Sequence, residues 1–282
     1  MKVLPFTIPK PKRDALILQE DKGASFYQLL HQHKELQISQ IISGEGTLIV
    51  GDTVNSYKEG DIVILGGDLP HVFKTESGEN VISHMITIFF TKESFGPEFF
   101  YTEELKYLLS FFEKANNGFR IRSRQQQVIL LFEQLFNATK LDRFILFLQI
   151  MKTINLSKFE YLSNSNSEKK YNDIEGRRMS AVFEFTMNNF RNEISLARIA
   201  QEATMTKNAF CKYFKKRTNK TYTTFLNELR IEEACRIIQS QTDQSITEIA
   251  ELSGFNNISN FNRKFKQLKN KTPRDYRKEL RL

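Results

Sequence analysis

The chain has 282 residues, 40% of them hydrophobic, and its 41 Lys and Arg outnumber its 33 Asp and Glu, which gives a formal net charge of +8. This length and composition allow two domains with buried cores and argue against a disordered chain. No run approaches the roughly 20 apolar residues that span a bilayer, and the N-terminus lacks the apolar stretch of a secretory signal, so we expect a cytoplasmic protein with no membrane partner.

The positive charge is concentrated in the C-terminal part of the chain. Residues 1–173 contain 20 basic and 21 acidic side chains, a net charge of −1, whereas residues 174–282 contain 21 basic and 12 acidic ones, a net charge of +9. A basic domain attracts polyanions because binding releases their counterions, which gives affinity without sequence selectivity. A solvated basic surface without such a partner is the alternative at this point.

The N-terminal part is predicted to be a β domain. From about 36 to 90, short β-branched and aliphatic runs alternate with glycine-containing turns, a pattern typical of a sandwich or barrel. All four histidines precede residue 85. His31 and His33, two residues apart, project from the same face of a predicted strand.

Two segments of this region resemble the two motifs of the cupin barrel: the HQH run at 31–33, and GDIVILGGDLPH at 60–71. Converging imidazoles can hold a divalent transition metal. However, Gln37 or Ile38 stands where metal-binding cupins place a carboxylate, so we expect a small-molecule effector pocket with no metal and no cofactor. The predicted pocket residues are His31, His33, Glu35, His71 and His84.

Between 103 and 159, apolar residues recur at helical spacing, which predicts three helices. Packing against the barrel explains part of their apolar surface. The aromatic members of this surface are Phe111, Phe112, Phe132, Phe136 and Phe147. Among these helices, Arg120, Arg122 and Arg124 are predicted to lie in a solvated loop and a helix start. Residues 163–173 (SNSNSEKKYND) are polar, without an apolar face, and are predicted to be a linker.

After the linker, helical patterning continues to the end of the chain and contains an internal duplication. Residues that recur at an offset of 50 or 51 are Ser195, Leu196, Ile199, Ala200, Phe210, Phe214 and Asn219-Lys220-Thr221, matched by Ser245, Ile246, Ile249, Ala250, Phe261, Phe265 and Asn270-Lys271-Thr272. Each copy predicts a short helix, a tight turn and a second helix. Ser245 and Glu248 form a capping box, and Gly254 supplies the positive φ of the turn. Thr204 stands at the equivalent position of the first copy, which predicts that the first turn is either differently shaped or slightly strained.

Residues 194–280 resemble the DNA-binding domain of the AraC/XylS family of transcription regulators, and the segment 254–277 (GFNNISNFNRKFKQLKNKTPRDYR) is similar to the family signature. The resemblance implies two helix-turn-helix units, joined by a long helix over about 222–240, that enter successive major grooves of double-stranded DNA. The base-reading residues it implies are Asn208, Cys211, Lys212, Ile258, Ser259, Asn260, Asn262 and Arg263. The phosphate-binding residues it implies are Lys207, Lys215, Lys216 and Lys266.

The expected architecture is multi-domain, α and β: a cupin-like ligand-sensing barrel over 1–100, a helical dimerisation segment over 101–162, a linker over 163–173, and an all-α domain of two helix-turn-helix units over 174–282. The expected function is a non-enzymatic, sequence-specific transcription regulator, an activator or a repressor, that acts as a homodimer and responds to a small-molecule effector. RNA polymerase is a further partner if it activates.

Two other interpretations remain open at this stage. The first is a metal-dependent cupin enzyme with an appended DNA-binding tail, which requires a complete set of metal ligands and an open coordination position. The second is an RNA-binding or architectural protein. The strands carry none of the aromatic stacking platforms that single-stranded recognition favours, which argues against RNA.

Overall fold

The computed structural model describes residues 4–5, 14–75, 82–164, 173–240 and 243–280. The chain divides into two compact units, Met1–Asp173 and Ile174–Leu282. Most of the predicted linker, 163–173, lies outside the described residues. Within the described ranges, no helix combines the length and the apolar character needed to cross a membrane.

Strands dominate the first unit and form two sheets. They are β1 (Leu4–Pro5), β2 (Ile17–Gly23), β3 (His31–Gln32), β4 (Leu36–Ser43), β5 (Gly46–Val50), β6 (Thr53–Tyr57), β7 (Ile62–Leu65), β8 (His71–Thr75), β9 (Ser83–Phe90), β10 (Phe119–Ile121) and β11 (Phe159–Tyr161). One sheet has the order β1-β3-β8-β5-β6 and the other β11-β10-β7-β4-β9-β2. The pair β1–β3 is parallel, and the neighbouring pair β3–β8 is antiparallel.

The strand β7 of the six-stranded sheet is buried on both faces, which explains why it is a continuous apolar run. On β7, Ile62 and Ile64 belong to the core shared with the helices of this unit, whereas Val63 and Leu65 belong to the core shared with the five-stranded sheet. The first unit is therefore three layers deep: a sheet, a second sheet, and helices on the outer face of the second.

The closed barrel expected from the sequence is not formed; within the described residues the strands make a two-sheet sandwich. Closing a barrel requires a backbone ladder between the edge strands of the two sheets. At one such edge, between β6 and the residue that follows β11, a side chain makes the contact instead. Asn55 Nδ2 donates to the backbone oxygen of Leu162 at 2.9 Å.

Three α-helices lie in the segment where three were predicted: α1 (Leu109–Ala115), α2 (Gln125–Leu135) and α3 (Lys140–Asn155). Four of the five phenylalanines singled out in this segment are buried, and only Phe136 stays exposed, so core packing explains most of the set. The prediction of a solvated loop at Arg120 is wrong. Arg120 lies in β10, is buried, and pairs with Asp61, since its Nη1 is 3.2 Å from Oδ2.

Within the described residues, all the regular secondary structure of the second unit is helical. Its helices are α4 (Asp173–Asn189), α5 (Leu196–Glu202), α6 (Lys207–Thr218), α7 (Tyr222–Gln239), α8 (Ile246–Leu252), α9 (Ile258–Lys269) and α10 (Pro273–Leu280). The pairs α5–α6 and α8–α9 are the two copies of the repeat, and α7 is the long helix between them. The capping box of Ser245 and Glu248 is formed as predicted.

The repeat extends further, since Glu228-Leu229-Arg230 recurs as Glu279-Leu280-Arg281, and an ion pair explains this match. Lys220 Nζ lies 2.7 Å from Glu228 Oε2, and the equivalent Lys271 pairs with Glu279. In each copy this bridge ties the turn after the second helix to the helix that follows. The Lys and Glu positions therefore recur together because they contact each other.

Candidate functional site

The turn of each helix-turn-helix copy closes with the same backbone hydrogen bond. Met205 N–H donates to Ala200 O, and Phe255 N–H donates to Ala250 O, both at 2.9 Å. This six-to-one bond ends α5 and α8 in the Schellman manner. The helix α6 begins two residues after Met205 and α9 three residues after Phe255, so Asn256 is an inserted residue. The insertion explains why the offset of the repeat changes from 50 to 51.

Both turns need a residue with positive φ. Gly254 has φ +93° and Thr204 has φ +52°. A β-branched residue in the left-handed region is strained, so the structure bears out the strained turn expected in the first copy. At Gly254 there is also no room for a side chain, because an added Cβ would lie 2.7 Å from Phe190 O and 2.9 Å from Arg191 Cα.

The second helices of the two copies, α6 and α9, have the same length and equivalent ends. We call them the reading helices. Each has 12 residues. Each begins at a side-chain cap, Thr206 for α6 and Asn257 for α9, and each ends at an asparagine in the left-handed conformation, Asn219 or Asn270. Equal lengths and equivalent caps give the two copies the same local frame.

Paired phenylalanines fix which face of each reading helix points inward. Phe210 and Phe214 on α6, and Phe261 and Phe265 on α9, are all fully buried. In both copies the two ring centroids lie 5.7 Å apart. Because these rings are one helical turn apart, they anchor one stripe of each helix and leave the opposite stripe outside.

The outward stripes carry the candidate DNA contacts. The exposed residues among them are Lys207, Asn208, Cys211, Lys212, Lys215 and Lys216 on α6, and Ile258, Ser259, Asn262, Arg263 and Lys266 on α9. Asn260 is half-buried, and its Oδ1 accepts a hydrogen bond from Arg263 Nη2 at 2.8 Å. That contact uses one of the five N–H donors of the guanidinium and orients the group.

Residues that the sequence reasoning did not identify hold the long helix α7 in place. Arg230 donates from Nε to Phe190 O at 2.7 Å and from Nη2 to Asn192 O at 2.8 Å. Glu233 accepts from Arg191 Nη2 at 2.6 Å and from Arg236 Nη2 at 2.9 Å. No periodicity or spacing marks the contacts of Arg230 and Arg191, because they join residues about 40 positions apart.

The charge on Glu233 is set by this network. Burial alone would raise its pKa, but the hydrogen bonds and positive charges of Arg236 and Arg191 outweigh burial and lower the pKa. Glu233 is therefore an anion near neutral pH, and it binds α7 to the loop that follows α4.

In the first unit, three of the predicted pocket residues come together. His31 and His71 are opposite each other across the β3–β8 pair, and His33 follows β3. One ring nitrogen of each lies within 4.8 Å of those of the other two, and all three side chains are buried. We call this group the histidine cluster. Its ring centroids are 4.3 to 5.9 Å apart.

Burial keeps the cluster uncharged. It lowers the pKa of His31 to about 4, although a backbone hydrogen bond to Leu29 raises it. Burial also lowers the pKa of His33 and, together with the neighbouring imidazoles, holds the pKa of His71 well below its ordinary value. The three rings are neutral near pH 7 and are thus in the state that metal ligation or hydrogen bonding to a neutral ligand requires.

The other two predicted pocket residues lie differently. His84 shares its face of β9 with Ile86 and Ile88, which belong to the core shared with the helices, and its Nε2 lies 2.7 Å from Glu20 Oε1. Glu35 stands beside the cluster. Its carboxylate is 4.0 Å from His33 Nδ1, while its backbone oxygen accepts the hydrogen bond from that nitrogen.

Comparisons with known proteins agree with the geometry of the second unit. A profile of the helix-turn-helix domain family matches residues 199–279. The uncharacterized HTH-type transcriptional regulator YdeC of Bacillus subtilis is 24% identical over 261 residues, which cover 89% of this chain and 87% of the relative. An uncharacterized HTH-type transcriptional regulator of Staphylococcus aureus is also 24% identical over 94% of this chain, but the chain spans only 34% of that longer relative.

Among solved structures, the DNA-binding domain of AdpA, a global transcriptional factor in complex with a target DNA, is similar at 22% identity with a TM-score of 0.34. The match covers 36% of this chain and 89% of that domain.

Proposed function

We propose that this chain, a DNA-binding transcription regulator, has an AraC-type helix-turn-helix domain and that both of its reading helices recognise base pairs in the major groove. The observation that carries the proposal is the matched pair α6 and α9, each anchored inward by two phenylalanines and each exposing amide or cationic side chains outward. Asn recognises adenine and Arg or Lys recognises guanine through paired hydrogen bonds in that groove.

The proposed contacts divide into two classes. Base-reading residues are Asn208, Cys211, Lys212, Ile258, Ser259, Asn260, Asn262 and Arg263. Phosphate-binding residues are Lys207, Lys215, Lys216 and Lys266. The first class sets which sequence is bound, and the second positions the domain and contributes affinity that falls with salt.

Arg263→Ala is expected to lower discrimination at one base position of the binding site by about 1 to 3 kcal/mol, roughly 5- to 150-fold, because the base loses the guanidinium that Asn260 orients. The measurement starts from duplexes selected by the full chain from a random pool. Binding of the wild type and the variant to each single-base change of the selected duplex then locates the position.

Lys215→Ala is the matched control from the other class. It is expected to weaken binding to all duplexes alike and to reduce the slope of log affinity against log salt by about 1. Equal weakening of selected and random duplexes by Arg263→Ala would contradict base reading by that residue.

We propose in addition that the first unit senses an effector and that effector binding changes the affinity for DNA. The support is the histidine cluster, a buried group of neutral imidazoles. It lies in the first unit, whereas the reading helices belong to the second. An effector acts in this way only if it binds the DNA-competent and DNA-incompetent states with different affinity.

A homodimer is proposed through α2 and α3. Three apolar side chains on these helices remain in solvent: Leu141, 68% exposed, with Ile145 and Leu130 about half exposed. Leu141 and Ile145 are one turn apart on α3 and form a stripe. A second copy related by a twofold axis would cover the same stripe on each partner and would place two DNA-binding units on paired sites.

The double change Leu141→Glu and Ile145→Glu is expected to raise the dissociation constant of the dimer by about 100-fold, because like charges replace a desolvated apolar contact. Sedimentation velocity over a concentration series measures it. Leu156→Glu, an equally exposed leucine at the end of α3, is the control and should leave the dimer intact. A wild-type chain that sediments as a monomer at all concentrations would rule out this interface.

A further inference from the structure

A groove of about 490 Å³ lies between the two helix-turn-helix copies, and we call it the inter-copy groove. It is lined by the loop before α5, by the first turns of α7 and by residues of α9. Two of the proposed base contacts, Asn260 and Arg263, are part of its wall. A duplex held by both reading helices therefore covers this groove.

The charge of the inter-copy groove is positive. Its wall contains three cations, Arg230, Arg263 and Lys264, and one carboxylate, Glu193. The charge of Glu193 acts on Arg230. Arg263 and Lys264 form no ion pair within the described residues, and their side-chain hydrogen bonds go to neutral amide oxygens. Two positive charges are thus available to an anion.

The first turn of α7 lies in the same groove. Thr221 caps this turn, because its Oγ1 accepts from Thr224 N–H at 3.2 Å and its backbone oxygen accepts from Phe225 N–H at 3.1 Å. The N–H groups of Tyr222 and Thr223 have no acceptor in the part of the chain that the structure describes. Unpaired N–H groups at the start of a long helix, together with the helix dipole, favour a bound anion.

An amide without a partner lies one turn further along α7. Asn227 is only 8% exposed, and its side chain makes no hydrogen bond to any of the described residues. A buried amide that lacks a partner costs free energy, so its presence calls for an explanation. Since Asn227 lines the inter-copy groove, a group bound there can accept the hydrogen bond that the protein does not supply.

The second copy of the repeat shows how a helix start differs when the chain supplies its own anion. Asp275, in the first turn of α10, stands 51 positions after Thr224. Its Oδ2 accepts from Thr272 Oγ1 at 2.6 Å, and its N–H donates to the same Oγ1 at 3.2 Å. In the first copy, Thr221 and Thr224 make the equivalent contact between two hydroxyls, 2.8 Å apart. The first turn of α7 contains no acidic residue.

We propose that the inter-copy groove binds a phosphate of the DNA backbone, at a point between the bases read by α6 and those read by α9. Its ligands are the N–H groups at the start of α7, the amide of Asn227 and the ammonium of Lys264. This inference rests on the proposed function. Because α7 joins the two copies, one phosphate held at its start fixes the duplex relative to both reading helices. The contact adds affinity without selecting a base.

The first test uses Thr224→Asp, which gives α7 the carboxylate that α10 has. We expect its Kd for selected and for random duplexes to rise at least about tenfold, because the carboxylate repels the phosphate. Its midpoint of urea unfolding should not fall, since an acid in the first turn stabilises a helix. Ser240→Asp is the control. It adds the same charge at the other, exposed end of α7, about 27 Å away, and should bind DNA like the wild type.

Asn227→Leu removes the amide and keeps a side chain of similar size. We expect a Kd for DNA at least about threefold higher, with a midpoint of urea unfolding equal to or above that of the wild type, because no hydrogen bond within the protein is lost. A lower midpoint together with weaker binding would show that Asn227 has a packing role and would overturn it as a phosphate ligand. Unchanged DNA binding would overturn it too.

The phosphate itself is located with duplexes in which an uncharged methylphosphonate replaces one phosphate at a time. We expect one or two positions, between the bases read by α6 and by α9, at which the replacement weakens wild-type binding at least about fivefold. The same replacement should not weaken Thr224→Asp further. Equal losses for the two proteins at every position would overturn the phosphate site alone. A chain that selects no duplex at all would refute the proposed function itself.

Discussion

Gly254→Ala is expected to destabilise the second helix-turn-helix copy by about 3 kcal/mol or more. A residue with a side chain is strained at φ +93°, and here the added Cβ would also lie 2.7 Å from Phe190 O. That oxygen is held by Arg230 Nε, which would itself lie 2.9 Å from the new carbon. Backbone atoms cannot move away as a flexible side chain can, so the turn must open and α9 loses its position.

Hydrogen exchange followed by mass spectrometry measures this effect locally, which matters in a chain with two units. Peptides from α8 and α9 should exchange roughly 100-fold faster in Gly254→Ala, and peptides from the first unit should not change. Gly60→Ala is the matched control, because Gly60 has φ +83° but nothing within 4 Å of an added Cβ. It should cost only about 1 to 2 kcal/mol. Equal losses from the two changes would show that φ alone, and not the contact with Phe190, governs the turn.

The second unit was predictable because the sequence contains it twice. Comparison of the two copies identifies the turn, the inward rings and the outward stripe. The shift of offset from 50 to 51 is explained by the inserted residue Asn256. Thr204 was expected to be strained because Gly254 occupies the equivalent turn, and its φ of +52° agrees. What the repeat could not predict is the network of Arg230 and Glu233, which joins α7 to the α4–α5 loop and has no counterpart pattern.

The first unit was predictable only in outline. Strand patterns indicate short strands, but they do not distinguish a closed barrel from two sheets, because closure depends on whether edge strands pair. At one edge the two sheets are joined through the side chain of Asn55, which contacts Leu162, 107 positions away in the chain. Similarly, the charge of Arg120 suggested a solvated loop, and only the burial of Asp61 beside it explains why an arginine lies within β10.

The candidate effector site shows the same limit. All four histidines were included in the predicted pocket, and the structure separates His84 from the other three. The alternation of β9 makes that separation, because His84 shares its face with Ile86 and Ile88 and not with Thr87, whose hydroxyl lies 2.8 Å from Ser39 Oγ between the sheets. Likewise, the sequence identified Gln37 only as a residue that stands where metal-binding cupins place a carboxylate. Its amide oxygen lies 3.3 Å from His33 Nε2, at the edge of the histidine cluster.

Phe265→Ala is expected to lower the free energy of unfolding of the second unit by about 3 to 5 kcal/mol, the cost of a large cavity in a packed core. The ring is fully buried and contacts Phe261 and Tyr276, with centroids 5.7 and 5.6 Å away. Without it, α9 keeps only one of the two buried phenylalanines that fix its inward face. Sequence-specific binding should therefore fall together with stability, although Phe265 touches no DNA.

The first copy of the repeat provides a matched variant for this experiment. Phe214→Ala removes the equivalent ring of α6, which is equally buried and contacts Phe210 and Tyr222 at 5.7 and 5.5 Å. Urea unfolding of the two variants should give losses of similar size, whereas Arg263→Ala, on the outward stripe, should unfold like the wild type. If Phe265→Ala unfolded like the wild type and Arg263→Ala did not, the inward and outward faces of α9 would be exchanged. The assignment of bases to its outer stripe would then be wrong, because selective DNA binding requires that the anchoring and reading functions lie on opposite sides of one rigid helix.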